Sequence, residues 1–284
     1  MVRQTTLLST KISLCLALAI PALIIPAHSA LAWGAKGHRV VGKIAENHLT
    51  PEARRGVEAV LGTESLARAS TWADSIRSDA SWDHAKPWHY INVPDDGDLA
   101  TVERASGGDI LEALERFEGV LRDGSARRQD KVEALRFLCH FLGDLHQPLH
   151  VGRATDRGGN DIDISWFGNR RNLHSLWDSG LINHMDLSYT EIVEFIDHTT
   201  PEQVAQWQRG SYLEWAKESQ KLRAQVYDFG VPDSQPMPSL GWKYYERNVA
   251  TVEERLLVGG VRLAGVLNAV FAPPAESAKT SGPR

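Results

Sequence analysis

The sequence contains very little cysteine. Its 284 residues include two, Cys15 and Cys139, and Cys15 lies in an N-terminal segment that we expect to be removed. The remaining chain would then carry Cys139 alone, so no internal disulfide could form. Its stability is therefore expected to come from a packed core, to which nine tryptophans can contribute, and from bound metal.

An excess of positive charge is also absent. The formal net charge is −5 at pH 7, with 31 basic and 36 acidic residues. An acidic chain has no overall field that would attract nucleic acid or an anionic membrane. Any affinity for phosphate must therefore come from a local site, and bound metal ions would supply one.

Long hydrophobic runs are confined to the N-terminus. Residues 1–32 have the pattern of a secretory signal peptide: a basic start at Arg3 and Lys11, an apolar stretch at 12–25 and an A-x-A site ending at Ala32. Cleavage there would make Trp33 the first residue of a secreted or periplasmic protein. The alternative is a membrane anchor that stays uncleaved.

The rest of the chain shows no internal repeat and no clear domain boundary. We predict one domain at residues 33–271 and a disordered tail at 272–284, which is rich in Pro, Ser and Lys. We expect a monomer without a stable protein partner.

Most of this domain has helical periodicity. Thr50 followed by Pro51 is typical of a helix start, and Gly62 of a helix end. Further helices are predicted at 107–123 and 130–145, and from 190 to the end, with a long one at 244–270 that Gly259 and Gly260 should weaken. Residues 161–168 alternate like a short hairpin arm. The predicted fold class is all-α, mainly helical, with a few short strands or hairpins.

The stretch LRFLCHFLGDLHQPLH at 135–150 combines apolar residues with ionisable ones. His140 and Asp144 are four residues apart, so on a helix they share one face. Pro148 should end or kink that helix, which leaves His150 to be oriented separately. Such a pair is either a buried hydrogen bond or part of a metal site. The second reading gains weight because His174 and Asp178 repeat the spacing.

Other stretches could complete a metal site and a substrate site. His38 follows Trp33 closely enough for the new N-terminal amine and the Trp33 carbonyl to chelate an ion with it. Asp74 and Arg77 are neighbours if helical, although a surface ion pair is the simpler interpretation. In the stretch 86–94, the short piece between Pro87 and Pro94 should be extended.

In that extended segment Tyr90 and Asn92 would face away from His89. With Trp88 they would suit stacking on a base and bonding its edge, or they could belong to an aromatic core. Gly158, Gly159 and Asn160 form a loop that could approach a ligand or make an ordinary turn.

Six ordered motifs resemble those of the S1/P1 family of zinc-dependent, single-strand-specific nucleases. They read WGxxGH from Trp33, WADSIR, WHYIN, HFLGDLHQPLH, DRGGN and NLHSLWD. The resemblance implies a mostly helical fold with three zinc ions in a cleft. It also implies hydrolysis of single-stranded DNA and RNA to 5′-phosphorylated products and removal of 3′-phosphates from nucleotides.

The resemblance implies a role for each candidate residue. One ion would be held by Asp74, His89, His140 and Asp144; a second by the Trp33 amine and carbonyl, His38 and the bridging Asp144; the third by His150, His174 and Asp178. Arg77 would bind the phosphate oxygens as charge builds, beside Asp74. Tyr90 and Asn92 match base-stacking and base-edge positions, and Gly158, Gly159 and Asn160 would border the same pocket.

The chain departs from better-known family members in two features. Those members carry disulfides, and they commonly have an acid where Asn92 stands, so base preference here could differ.

Two other functions remain as alternatives. A zinc phospholipase C of the same fold should have Glu rather than Asp178 and no Tyr90–Asn92 pair, and a non-enzymatic zinc-binding protein would need no Arg77. We do not expect His146 to be a ligand, because it lies roughly 200° round the helix from Asp144.

Overall fold

The computed structural model describes residues 33–230 and 237–273, and this part of the chain is mainly helical. The predicted signal peptide at 1–32 and residues 274–284 of the predicted tail lie outside the described residues. The helices are α1 (Ala35–Asn47), α2 (Pro51–Leu61), α3 (Leu66–Ala69), α4 (Trp72–Ser75), α5 (Ile110–Arg122), α6 (Arg128–His146), α7 (Leu173–Ser175), α8 (Leu181–His184), α9 (Tyr189–Ile196), α10 (Pro201–Trp207), α11 (Tyr212–Lys221), α12 (Arg223–Val226) and α13 (Trp242–Val270). The predicted fold class is confirmed.

Tighter and wider helical turns connect these elements. 3₁₀ turns occur at Ile76–Ser78, Ala80–His89, Pro148–Val151 and Ala154–Asp156, and a π-helical turn occurs at Leu176–Gly180. Among the described residues, no helix combines the length and apolarity that crossing a bilayer requires.

Helix α6 runs through the centre of the domain. Almost every residue from Ala134 to its end at His146 is buried, and α1, α5, α11 and α13 all pack against it. A helix that is buried all round is surrounded by other elements rather than laid on a surface. The ionisable residues of α6 are therefore held in the interior.

Local signals set several boundaries as predicted. The Thr50 hydroxyl accepts a hydrogen bond from the Ala53 amide, and Gly62 ends α2 with a φ of 69°. Pro148 follows the end of α6 and begins a 3₁₀ turn that contains His150. These features depend on neighbouring residues only, which explains why the sequence revealed them.

The sheet is small and lies beside the helices. Strand β1 (Asp163–Trp166) pairs antiparallel with β2 (Asn169–Asn172), with Asp163 opposite Asn172. Strand β3 (Ser239–Leu240) pairs parallel with β1 on its other edge. The predicted hairpin is thus confirmed.

The piece between Pro87 and Pro94 is predicted to be extended, and this is wrong for Trp88 and His89. Residues up to His89 belong to a 3₁₀ helix that Asp79 caps, and extended backbone begins at Tyr90. The reason is tertiary: Trp88 is buried and its indole donates to the Gly107 carbonyl. From Ile91 onward the backbone pairs with the turn at His150, whose carbonyl accepts from the Ile91 amide.

Gly259 and Gly260 are packing residues rather than weak points of α13. A Cβ on Gly260 would lie 2.5 Å from the Cβ of Ile44 on α1, and one on Gly259 would lie 3.3 Å from the His146 ring. The missing side chains let α13 approach α1 and α6 closely. The single predicted helix at 244–270 is confirmed, with its start at Trp242.

A pair of glycine substitutions tests this close packing. A Cβ on Gly42 in α1 would lie 2.6 Å from the Leu66 carbonyl oxygen, whereas one on Gly119 in α5 meets nothing within 4 Å. We expect Gly42→Ala to lower the free energy of unfolding by about 1–3 kcal/mol. Gly119→Ala should raise it by about 0.5–1 kcal/mol. Urea denaturation measures both, and equal effects would contradict the packing argument.

Candidate metal centre

The carboxylate of Asp144 lies at the centre of a cluster of imidazoles. His38 Nε2 lies 3.3 Å from Asp144 Oδ1. On the other oxygen, Oδ2, His89 Nδ1 lies at 3.0 Å and His140 Nε2 at 3.3 Å. The Asp144, His38 and His140 side chains are fully buried. One helical turn of α6 therefore brings His140 and Asp144 together, as their spacing predicts, and α1 and the 3₁₀ helix supply the others.

Asp74 extends this cluster towards the surface. Its Oδ1 lies 3.8 Å from His140 Nε2, and its side chain is 13% exposed. Asp74, His89 and His140 form one group whose nitrogen and oxygen atoms could hold a metal ion; His38, His140 and Asp144 form another. The two groups share His140.

A third group lies next to the first two. His174 Nε2 is 3.3 Å from Asp178 Oδ2, and His150 Nε2 is 3.6 Å from Asp178 Oδ1. These three buried residues could also hold an ion. His150 Nδ1 is 3.9 Å from Asp144 Oδ2, so the third group adjoins the Asp144 cluster.

Backbone carbonyls fix the tautomer of three of these histidines. Nδ1 of His140 donates to the Ser70 carbonyl at 2.7 Å. Nδ1 of His150 donates to the His89 carbonyl, and Nδ1 of His174 to the Gly158 carbonyl, each at 2.6 Å. A carbonyl only accepts, so each Nδ1 carries the proton and each Nε2 keeps a lone pair. This is how metal-ligating histidines are usually oriented.

Buried polar atoms without hydrogen-bond partners show that the residues fit a cation. Among the ligand candidates they are both ring nitrogens of His38, Asp74 Oδ1, Asp144 Oδ1, His150 Nε2 and Asp178 Oδ2. The indole nitrogen of Trp33 and Nε2 of His184 are also unpartnered but belong to none of the three groups. Leaving such atoms unpaired in the interior is costly. A divalent ion satisfies imidazole and carboxylate atoms together, so the donor set suits metal.

Burial also shifts the ionisation of these groups. It raises the pKa of Asp178 to about 7, and together with repulsion from Asp74 it raises that of Asp144 well above the usual value. Burial lowers the pKa of His150 to about 4, and it holds the pKa of His38 well below 6.5. Without a cation, burial favours the protonated form of these carboxyls. A bound cation would lower their pKa values and favour the carboxylate form.

The N-terminal residue of the described chain lies beside this centre. Trp33 is fully buried, and the next amide, that of Gly34, donates to the Asp178 carbonyl at 2.6 Å. Gly143 makes room there, because a Cβ on it would lie 3.0 Å from His38 Nδ1. Chelation by the Trp33 amine stays a prediction.

Residues of the expected substrate site separate into exposed and buried ones. Tyr90 is 41% exposed, whereas Trp88 is buried in an aromatic cluster with Phe137. Trp88 is therefore a core residue and not a stacking platform. Asn92 is half-buried, and the alternation predicted from His89 onward is observed. Arg77 Nη1 lies 3.5 Å from Asp74 Oδ1 at the edge of the metal groups, as the i,i+3 spacing predicts.

The glycine loop supports a metal group more directly than a pocket. Gly158 and Gly159 are buried with φ of 65° and 78°, and a Cβ on Gly158 would lie 2.5 Å from the Leu149 carbonyl oxygen. The Gly158 carbonyl orients His174. Asn160 is half-buried and donates to the Arg157 carbonyl. Contact of these three residues with substrate stays a prediction.

Other histidines behave differently from the ligand candidates. His146 Nδ1 donates to the Leu142 carbonyl and its Nε2 accepts from Arg262 at 3.0 Å, so it faces away from Asp144. His84 and His198 are exposed. His48 is half-buried and contacts Asp197 at 2.7 Å.

Sequence reasoning missed two supporting residues. The Ser70 carbonyl orients His140, and the Gln147 amide donates to Asp178. A buried polar residue next to a ligand was a signal for Gln147, but its partner is thirty-one positions away. Backbone carbonyls carry no sequence signal at all.

The fold and the buried histidine–aspartate groups together define a helical protein with a centre suited to metal. The sequence profile of the S1/P1 Nuclease family matches residues 33–272, so the chain belongs to this family. It is therefore a nuclease, that is, a phosphodiester hydrolase.

Three relatives can be aligned with this chain along most of their own lengths. Endonuclease 2 of Arabidopsis thaliana is 30% identical over 265 residues, which cover 84% of this chain and 90% of that protein. Nuclease P1 of Penicillium citrinum is 30% identical over 264 residues, covering 84% and 97%. Nuclease S1 of Aspergillus oryzae is 26% identical over 271 residues, covering 85% and 93%.

Two buried histidines of α6 provide a matched test of the centre. We expect His140→Ala to bind fewer metal ions per chain than wild type. His146→Ala should keep the full number but lower the free energy of unfolding by about 1–3 kcal/mol, because Arg262 loses a buried partner. Elemental analysis after dialysis counts the ions. Loss of metal from the His146 variant alone would contradict this arrangement.

Proposed function

We propose that this nuclease is zinc-dependent and single-strand-specific. It hydrolyses phosphodiester bonds of single-stranded DNA and RNA to 5′-phosphorylated products, and it also removes the phosphate from 3′-nucleotides. The observation that carries the proposal is the set of unpartnered, buried imidazole and carboxylate atoms beside a basic and an exposed aromatic residue. Membership in a family of nucleases supports the same function.

Three zinc ions account for the ligand candidates. In this proposal Asp74, His89, His140 and Asp144 hold one ion; the Trp33 amine and carbonyl, His38 and Asp144 hold the second; His150, His174 and Asp178 hold the third. The third set coincides with one group of close donor atoms, whereas the other two groups share His140. We assign the bridging role to Asp144 because its Oδ1 lies 3.3 Å from His38 Nε2 and its Oδ2 lies 3.3 Å from His140 Nε2. Mixed imidazole and carboxylate donors without thiolate favour zinc in a catalytic role.

When bound, zinc supplies Lewis acidity towards phosphate and lowers the pKa of a coordinated water to roughly 7. The protein residues orient the reacting groups. Carbonyl-bound Nδ1 protons keep the Nε2 atoms of His140, His150 and His174 directed inward. A compact set of cations also explains how an acidic chain could bind a polyanion.

Arg77 binds the phosphate as negative charge builds on its oxygens. Its guanidinium lies 3.5 Å from Asp74 Oδ1, a ligand in this proposal, and a planar fork of donors suits phosphate. Hydrogen bonds aimed at developing charge are among the largest catalytic effects. Asp74 then has two roles, as a ligand and as the partner that orients Arg77.

Tyr90 and Asn92 account for the preference for single strands. Tyr90 follows the ligand His89 directly and is 41% exposed, so an unpaired base could stack on it close to the metal groups. Asn92 lies on the same side of the extended segment and can both donate to and accept from a base edge. In this proposal Gly158, Gly159 and Asn160 border the pocket in which the base binds.

In this proposal the mature protein begins at Trp33. Removal of residues 1–32 as a signal peptide creates the free amine that the second ion needs, and it makes the protein secreted or periplasmic. Residues 33–271 then form one monomeric nuclease domain.

Product analysis tests the proposed reaction. Trimmed, zinc-loaded protein should cleave a single-stranded oligonucleotide to fragments with 5′-phosphates, and a chelator should abolish cleavage. Arg77→Ala should lower kcat by about 10²–10³-fold with unchanged zinc content. Arg55→Ala, which removes an exposed i,i+3 ion pair with Glu52, is the matched control and should leave kcat unchanged.

The alternatives predict other results. A zinc-binding protein that is not an enzyme would hold zinc and cleave nothing. A phospholipase C would leave the oligonucleotide intact and hydrolyse phosphatidylcholine. Either outcome would refute the proposed reaction. Equal activity of the signal-bearing and the trimmed protein would refute only the proposed role of the Trp33 amine.

Tyr90→Ala tests the stacking residue. Loss of one stacked base should weaken binding of a single strand by about 1–3 kcal/mol, seen as a higher KM with kcat changed less. Phe195→Ala, at a side chain that is 63% exposed on α9, should leave KM unchanged. An unchanged KM in the Tyr90 variant would show that bases bind elsewhere.

A further inference from the structure

Gln147 is a fully buried amide between the Asp144 cluster and the third metal group. Its backbone amide donates to the Asp144 carbonyl at 2.9 Å, and its carbonyl accepts from the His150 amide at 3.0 Å. Its side chain reaches across to Asp178, where Nε2 donates to Oδ1 at 2.6 Å. A single residue therefore contacts one member of the Asp144 cluster and two members of the third group.

The orientation of this amide is fixed by a second hydrogen bond. Gln147 Oε1 accepts from the Leu149 backbone amide at 2.6 Å, which caps the 3₁₀ turn Pro148–Val151. A flipped amide would direct its oxygen at the Asp178 carboxylate and its NH₂ group at another donor. The NH₂ group must therefore face Asp178.

This contact distinguishes the two oxygens of Asp178. Oδ1 accepts from the amide and lies 3.6 Å from His150 Nε2, whereas Oδ2 is buried without a hydrogen-bond partner and lies 3.3 Å from His174 Nε2. The carboxylate is thus held with Oδ2 directed towards the ligand atom of His174. The same glutamine sets the turn that carries His150.

We propose that Gln147 is a positioning residue that gives the third metal site its affinity. It selects Oδ2 of Asp178 as the ligand atom, and its hydrogen bonds hold His150 and Asp178 at fixed positions relative to Asp144. The proposal rests on the proposed function, in which His150, His174 and Asp178 hold a zinc ion. Residues that orient ligands typically change metal affinity by about 10–100-fold when they are replaced.

Gln147→Glu isolates the contact with Asp178. A glutamate keeps an acceptor for the Leu149 amide but replaces the donor by a second carboxylate. Gln147→Met is the uncharged second variant, in case facing carboxylates prevent folding. Asn248→Asp is the matched control, because Asn248 is also a fully buried amide but donates to the Tyr244 carbonyl instead.

Zinc titration against a chromophoric chelator, with circular dichroism to verify folding, decides the proposal. We expect both Gln147 variants to bind one ion about 10–100-fold more weakly and the other ions as wild type does. Asn248→Asp should bind all ions normally. Wild-type affinity for every ion in both variants, or equal weakening of all ions, would overturn the proposal.

The outcome for Gln147 can be separated from that for the proposed function. If wild type binds zinc with the expected stoichiometry but cleaves no oligonucleotide, the nuclease reaction is refuted while the affinities still decide the role of Gln147. If wild type cleaves and the variants retain every ion at normal affinity, the role of Gln147 alone is refuted.

Discussion

The burial of the Asp144 carboxylate among three imidazoles is the constraint on which the structure depends. A fully buried carboxylate is costly unless it is paired, and its pKa is raised well above the usual value. His38 and His140 contact it but have lowered pKa values of their own, so they do not provide compensating positive charge. A cation resolves this conflict for both residue types at once, which ties the core of the domain to metal.

The architecture holds this centre rigid from several sides. Helix α6 is buried from Ala134 to His146 except at Arg136, and glycines on α1 and α13 allow the surrounding helices to approach within backbone distance. Carbonyls of Ser70, His89 and Gly158 orient the imidazoles. The ligand candidates therefore come from many elements, and the three histidines oriented in this way, His140, His150 and His174, each keep Nε2 available.

The proposed reaction uses the contrast between this rigid interior and its rim. The chain is acidic overall, so attraction to nucleic acid would be local, from the ions and Arg77. Tyr90 is exposed directly beside the buried His89, which would bring an unpaired base next to the phosphate that is cleaved. Duplex bases are already stacked on each other, and that difference would select single strands.

The sequence by itself determined the features that depend on local spacing. The pairs His140–Asp144 and His174–Asp178 follow from helical geometry, the cap of α2 from Thr50, and the end of α6 from Pro148. Only the tertiary structure determined that the two pairs lie side by side and that Asp74 and His89, which come from separate elements, join Asp144 in one cluster. It also buried Trp88, gave His48 a partner and joined Gln147 to Asp178, since contacts between distant residues depend on packing and leave no local pattern in the chain.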